Sequence, residues 1–201
     1  MRIAGVLLAG GLSRRMGGGD KSLKVLAGET LLRRVIACAK PQVEMLVLNA
    51  NGDPARFKDY GLPVVADSVP DFAGPLAGVL AGLDWAAKEV PGATHLASFA
   101  TDAPFLPADL VARFAAAVKD GKHDLACAAS GGRTHPVFGL WPIALRDDLR
   151  RALVDEGIHK VDKWTARFRL AVVEFPAVPT DPFFNANAPE DLKEAEKLAA
   201  R

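Results

Sequence analysis

Ile3 to Leu8, reading IAGVLL, constrains this chain more than any other stretch. A run this apolar, with no polar alternation, is a strand buried on both faces, so other layers must cover it above and below. Immediately after it the composition changes. Between residues 10 and 21 stand Gly10, Gly11, Gly17, Gly18 and Gly19, together with Arg14, Arg15 and Lys21. Glycines let the backbone reach positive φ and present bare N–H groups, and the cations pair with phosphate oxygens, Arg as a fork and Lys as a point charge. The stretch therefore reads as a phosphate-binding loop, expected to be solvent-exposed, at the end of a first strand. It is not a P-loop, because Asp20 separates Gly19 from Lys21. It is not a dinucleotide fingerprint either, since Gly10-Gly11 is followed by Leu12 to Met16.

Strand and helix patterns alternate down the rest of the chain. Thr30 is placed to cap a helix through Ala39, ended by Pro41. Further strands are expected at Val43–Ala50, Val64–Ala66, His95–Ala100, Leu125–Ala129 and Pro136–Trp141. Helices are expected from Pro54 and from Pro75 to about Val90, then at Pro107–Lys119, Ile143–Val154 and Pro189–Ala200. The alternation predicts an α/β fold: a single Rossmann-like three-layer αβα domain over residues 1–201, with a mostly parallel twisted sheet between helices.

In such sheets the ligand lies beyond the carboxyl ends of the strands. Asn49 and Asn51 end the second expected strand, Asp67 the third, and Thr101 with Asp102 the fourth. Asn and Asp also serve as plain turn and cap residues, and Asn51 fits that role equally well. Asp102 does not, because it follows a strand too apolar to leave a charge without a partner. One aspartate facing a cationic glycine-rich loop suits magnesium, which binds through one or two carboxylates plus substrate phosphates.

Net charge is +1, which points away from nucleic acid or an anionic membrane as partner. Cys38 and Cys127 stand in apolar contexts without C-x-x-C spacing and read as buried thiols of a reducing compartment. The four histidines are scattered, and no apolar run approaches membrane-spanning length. The expected location is the cytoplasm.

The string L-A-G-G-x-x-x-R-M-G-x-x-x-K from Leu8 to Lys21 resembles the signature of nucleotidyltransferases that activate small phosphates. With V-L-N-A-N (47–51), A-D-S (66–68), G-P-L-A-G (74–78), T-D-A-P (101–104), T-H-P-V (134–137) and F-N-A-N-x-P-E-D-L (184–192), the chain resembles the molybdenum cofactor guanylyltransferase family. The resemblance implies transfer of GMP from GTP to the terminal phosphate of molybdopterin, with Mg²⁺ (or Mn²⁺) as cofactor and pyrophosphate released. It implies that Leu8, Ala9, Gly10 and Gly11 lie against the nucleotide, that Asn49 and Asp67 hold guanosine, and that Asp102 binds nucleotide and metal. Lys21 and Arg15 would neutralise charge on the phosphates. Asn185 and Asn187, with His135, would face molybdopterin, so that the first half of the chain binds GTP and the second the pterin. Transient contact with cofactor-insertion proteins or molybdoenzymes fits the same picture. A cytidylyltransferase, a sugar-phosphate nucleotidyltransferase or a non-catalytic nucleotide-binding module would share the fold. Asn185 and Asn187 have a second reading, as caps of the helix started by Pro189.

Overall fold

The computed structural model describes residues 1–10, 20–69, 74–186 and 188–199. Gly11, Arg15 and Asn187 lie outside the described residues. The chain begins with β1 (Ile3–Leu8), and a small hairpin follows, made of β2 (Val25–Leu26) and β3 (Glu29–Thr30). Helix α1 (Leu31–Ala39) starts where Thr30 Oγ1 accepts from the Arg33 amide at 3.2 Å, as the capping position predicts. Then come β4 (Leu46–Asn49), β5 (Val64–Val65), α2 (Pro75–Glu89), β6 (His95–Ala100) and α3 (Leu110–Val118). The second half holds β7 (Leu125–Ser130), β8 (Arg133–Pro142), α4 (Arg146–Val154), α5 (Val161–Thr165), β9 (Leu170–Phe175) and α6 (Pro189–Ala199).

Seven strands form one sheet in the order β5-β4-β1-β6-β8-β7-β9. All neighbours are parallel except at β8, which runs against both β6 and β7. The mostly parallel α/β sheet expected from the alternation is therefore present. Alternate residues of β1 serve opposite faces. Ile3 and Leu7 pack with α1 and α3, whereas Ala4 and Val6 pack with α2, α4 and α5. Leu7, Leu48 and Phe99 are fully buried, each worth about 1.5–3 kcal/mol of apolar transfer. Cys127 is buried as expected, its thiol pushed up to about 11 by that burial, while Cys38 is only half-buried. Among the described residues no helix is long and apolar enough to cross a membrane.

Two features of the packing shape the carboxyl edge of the sheet. Helix α2 lies so close to the sheet that a Cβ on Gly82 would come within 2.8 Å of Val6 and Leu96 side-chain atoms, and one on Gly78 within 2.7 Å of Leu8 Cδ2. The second feature is a break in β8. Its register against β7 jumps from Cys127↔Gly139 to Ala128↔His135, so Pro136–Phe138 are looped out of the ladder. Buried Ser98 on β6 pins that excursion: its Oγ donates to the Val137 carbonyl at 2.5 Å and accepts from Gly139 N and Trp141 Nε1.

Candidate active site

The strand ends converge on a cleft of about 970 Å³ at the carboxyl edge of the sheet. One wall carries Leu8 and Gly10 at the end of β1, Asn49 and Asn51 at the end of β4, Asp67 after β5, and Thr101 and Asp102 after β6. Lys21 lines the cleft as well. The opposite wall is the start of β8, Arg133 to Phe138, joined by Asn185. The sequence-derived residues Leu8, Gly10, Lys21, Asn49, Asp67, Asp102, His135 and Asn185 thus share one cavity. Ala9 does not line it. Its side chain is buried in the core, and its amide donates to the Asn49 carbonyl at 2.9 Å, tying β1 to β4.

Asp67 is gripped from two sides. Asn49 Nδ2 donates to its Oδ1 at 3.0 Å and Asn51 Nδ2 to its Oδ2 at 2.7 Å, while the Asp67 amide donates back to Asn51 Oδ1 at 2.9 Å. A carboxylate has about four acceptor sites, so lone pairs remain for a ligand that carries N–H or O–H groups. Asn49 is itself buried at 4% exposure. A Cβ on Gly78 would collide with its Oδ1, which is why the second glycine of G-P-L-A-G sits where it does. Asn51, equally readable as a turn residue, is part of the cleft.

Lys21 Nζ and Asp102 Oδ2 form an ion pair at 2.5 Å, with side chains only 12% and 23% exposed. This corrects the expectation of a solvent-exposed lysine: the short 3₁₀ turn Lys21–Leu23 tucks it against the end of β6. The second oxygen, Asp102 Oδ1, is buried with no hydrogen-bond partner among the described residues. A surplus buried acceptor of this kind fits a divalent cation. Among the described residues no group of three His, Cys, Asp or Glu side chains is placed to hold a metal, so the cation would rest on Asp102 and on ligand oxygens, as magnesium does at phosphate sites. The Asp102 carbonyl accepts from the Ala186 amide at 2.9 Å, which fastens the C-terminal segment across the cleft floor.

On the far wall His135 is half-buried, with Nε2 at 2.7 Å from Ser130 Oγ, which donates in turn to Asp181 Oδ1 at 2.7 Å. Burial holds the His135 pKa below its ordinary value, against the opposing pull of Asp181; Arg133 adds to the lowering. Arg133, Ser130 and Asp181 did not emerge from sequence reasoning. Arg133 stands beside the T-H-P-V string and was within reach of it, whereas Ser130 and Asp181 meet only through the fold.

A cleft of this kind defines a class: an α/β protein whose ligand site lies beyond the strand ends, with a part-buried lysine–carboxylate pair on one wall and a second polar wall facing it. The chain belongs to the MobA-like NTP transferase domain family, whose sequence model matches residues 5–169. A molybdenum cofactor guanylyltransferase from Bradyrhizobium sp. (strain ORS 278) is 65% identical over 198 residues, covering 98% of this chain and 93% of that protein. The crystal structure of molybdopterin-guanine dinucleotide biosynthesis protein A from Archaeoglobus fulgidus superposes with a TM-score of 0.76 at 23% identity, covering 100% of this chain and 99% of that one. The crystal structure of Rv0371C from Mycobacterium tuberculosis in complex with manganese superposes with a TM-score of 0.70 at 19% identity, covering 98% and 99%.

Proposed function

We propose that this chain transfers GMP from GTP to the terminal phosphate of molybdopterin, forming molybdopterin guanine dinucleotide and releasing pyrophosphate. The observation that carries the reading is the Lys21–Asp102 pair, set in one cleft between the wall bearing Asp67 and the wall bearing His135 and Asn185. The 65% identity to a protein of that name supports the choice of nucleotide and acceptor. We assign the nucleotide to the residues of the first half, with Leu8 and Gly10 at its backbone, Asn49 and Asp67 at guanosine, and Lys21 at the phosphates. Residues of the second half, His135 and Asn185, face the pterin. Gly11 and Arg15 are assigned to the nucleotide, and Asn187 to the pterin, on sequence alone.

The acceptor phosphate is ionised at neutral pH and attacks the α-phosphorus in line, so the chain needs neither a general base nor a covalent nucleophile. Lys21 offsets charge that builds on the phosphate oxygens. Asp102 would hold Mg²⁺ or Mn²⁺, which supplies charge neutralisation at the α-phosphate and leaving group. Asn49 and Asn51 hold Asp67 in one orientation, so the base is met by a fixed carboxylate. Free thiols and the use of GTP suit the reducing cytoplasm. Calorimetric titration of GTP against CTP and ATP, with Mg²⁺ present, tests the reading. GTP should bind tightest, and equal or tighter CTP binding would overturn the guanylyl assignment.

A further inference from the structure

A chain of hydrogen bonds runs behind the far wall of the cleft and takes no part in the transfer just described. Ser130, 1% exposed at the end of β7, donates its one proton to Asp181 Oδ1 at 2.7 Å. A hydroxyl has one proton and a carboxylate has none to give. At its 2.7 Å contact with His135 Nε2 the serine oxygen is therefore the acceptor, and the imidazole proton stands on Nε2. With the one proton of the neutral ring on Nε2, the lone pair lies on Nδ1, and burial, which lowers the His135 pKa, favours that neutral form. The ring cannot easily turn over, because it packs on Phe183 at 4.8 Å between centroids. Asp181 is fixed in its turn, since Oδ1 also accepts from the Phe183 amide at 2.9 Å.

We infer that Ser130 and Asp181 are positioning residues for the second substrate: they hold His135 as the Nε2–H tautomer, so that this wall offers a hydrogen-bond acceptor to a heterocycle rich in N–H donors. The inference rests on the reading of this wall as the acceptor side. A lone pair repels a phosphate oxygen and attracts a ring amino or N–H group, so His135 selects the ring of the acceptor and not its phosphate. The phosphate has a cation elsewhere in the same cleft, at Arg133. Sequence offered no sign of this relay, since Ser130 and Asp181 are 51 positions apart.

The test has two arms on the intact protein. Nitrogen-15 imidazole spectra of the unliganded wild type, with His135→Asn used to assign the signal, should show the proton on Nε2. Fluorescence titration should show tighter binding of pterin (2-amino-4-oxopteridine) than of lumazine (2,4-dioxopteridine), which lacks the amino donor, by about three- to tenfold, the worth of one hydrogen bond. Ser130→Ala should abolish that preference and disturb the tautomer. Ser130→Thr, which keeps the hydroxyl, should retain it. A wild-type proton on Nδ1, no pterin preference in the wild type, or a preference unchanged in Ser130→Ala would each overturn the inference. GTP titration of the same samples separates this from the proposed function: intact GTP binding beside any of those results leaves guanylyl transfer standing.

Discussion

Asp102 divides its carboxylate between two duties: Oδ2 meets Lys21 Nζ at 2.5 Å, while Oδ1 is buried without a hydrogen bond among the described residues. On the proposed function, arrival of a triphosphate with its cation would give each charge a new partner, the lysine turning to phosphate and the aspartate to metal. Cation and nucleotide binding should therefore be linked. Mn²⁺ titration by electron paramagnetic resonance should show weak binding alone and markedly tighter binding with GTP present. Asp102→Asn keeps the shape and loses the charge, so product formation should nearly vanish at ordinary Mg²⁺. A variant that still turns over would place the metal elsewhere.

Lys21→Ala removes the cation from both settings. Turnover should fall by about 10- to 1000-fold at saturating GTP. Stability should also fall, by about 1–3 kcal/mol, because a half-buried carboxylate loses its charged partner. Steady-state kinetics and urea unfolding on one preparation check both, and wild-type stability would mean that the pair contributes nothing to the fold.

Gly78→Ala tests how Asn49 is held. The new methyl meets Asn49 Oδ1 and Leu8 Cδ2, an overpacking that costs about 1–3 kcal/mol. With Asn49 displaced, Asp67 loses one of its two amide donors, so GTP affinity should drop while pterin affinity holds. Equal loss of both would show a general collapse of the cleft instead.

Asn185 and the start of α6 separate two roles that sequence leaves entangled. The Ala188 amide donates to Asp191 Oδ2 at 2.8 Å, so Asp191 serves the helix start, and Asn185 lines the cleft. Asn185→Ala should leave stability within about 0.5 kcal/mol of wild type and weaken pterin binding. Asp191→Ala should do the reverse, at a cost of about 0.5–2 kcal/mol. Melting temperatures and pterin affinities of the two variants decide between these outcomes.

Two histidines make the fold sensitive to mild acid. Burial lowers the pKa of His95, helped by the N-terminal charge, and burial likewise lowers that of His135. The unfolded chain therefore takes up these protons first as pH falls through about 6.5, and stability drops as pH goes from neutral toward 5. Urea unfolding at a series of pH values should show this loss, and His95→Gln should reduce it. A second loss belongs to stronger acid: side-chain and backbone hydrogen bonds from Arg169 hold Asp124 at about 2, so its contribution fades only as pH falls from 3.8 toward that value.

Much of the wall proposed for the nucleotide is legible in the sequence because it is local. Asn49 ends an apolar strand and Asp67 and Asp102 stand two residues beyond theirs, and parallel strands deliver all such ends to one edge. The acceptor wall is legible only as motifs. Nothing in T-H-P-V says that its strand runs backwards, since a period of two reads the same in either direction. β9 carries its own signal, for LAVVEF has the apolar content of a half-buried edge strand, although it is not among the strands expected from the alternation. The Lys21–Asp102 pair, the Asn51 clamp and the Ser130–Asp181 relay join residues far apart in the chain, and no spacing rule reaches them.

The reversed strand β8 also sets how each wall of the cleft can change. Residues 133–135 are paired one for one with Ser130–Ala128 of β7. An insertion there slides the strand by a residue and swaps every side chain between the cleft face and the opposite one. The facing wall, built at the ends of β1, β4, β5 and β6, can absorb extra residues at the modest entropic cost of a longer loop. The paired part of the far wall, residues 133–135, can therefore change only by exchange of single side chains, whereas the strand-end wall has both substitution and insertion open to it.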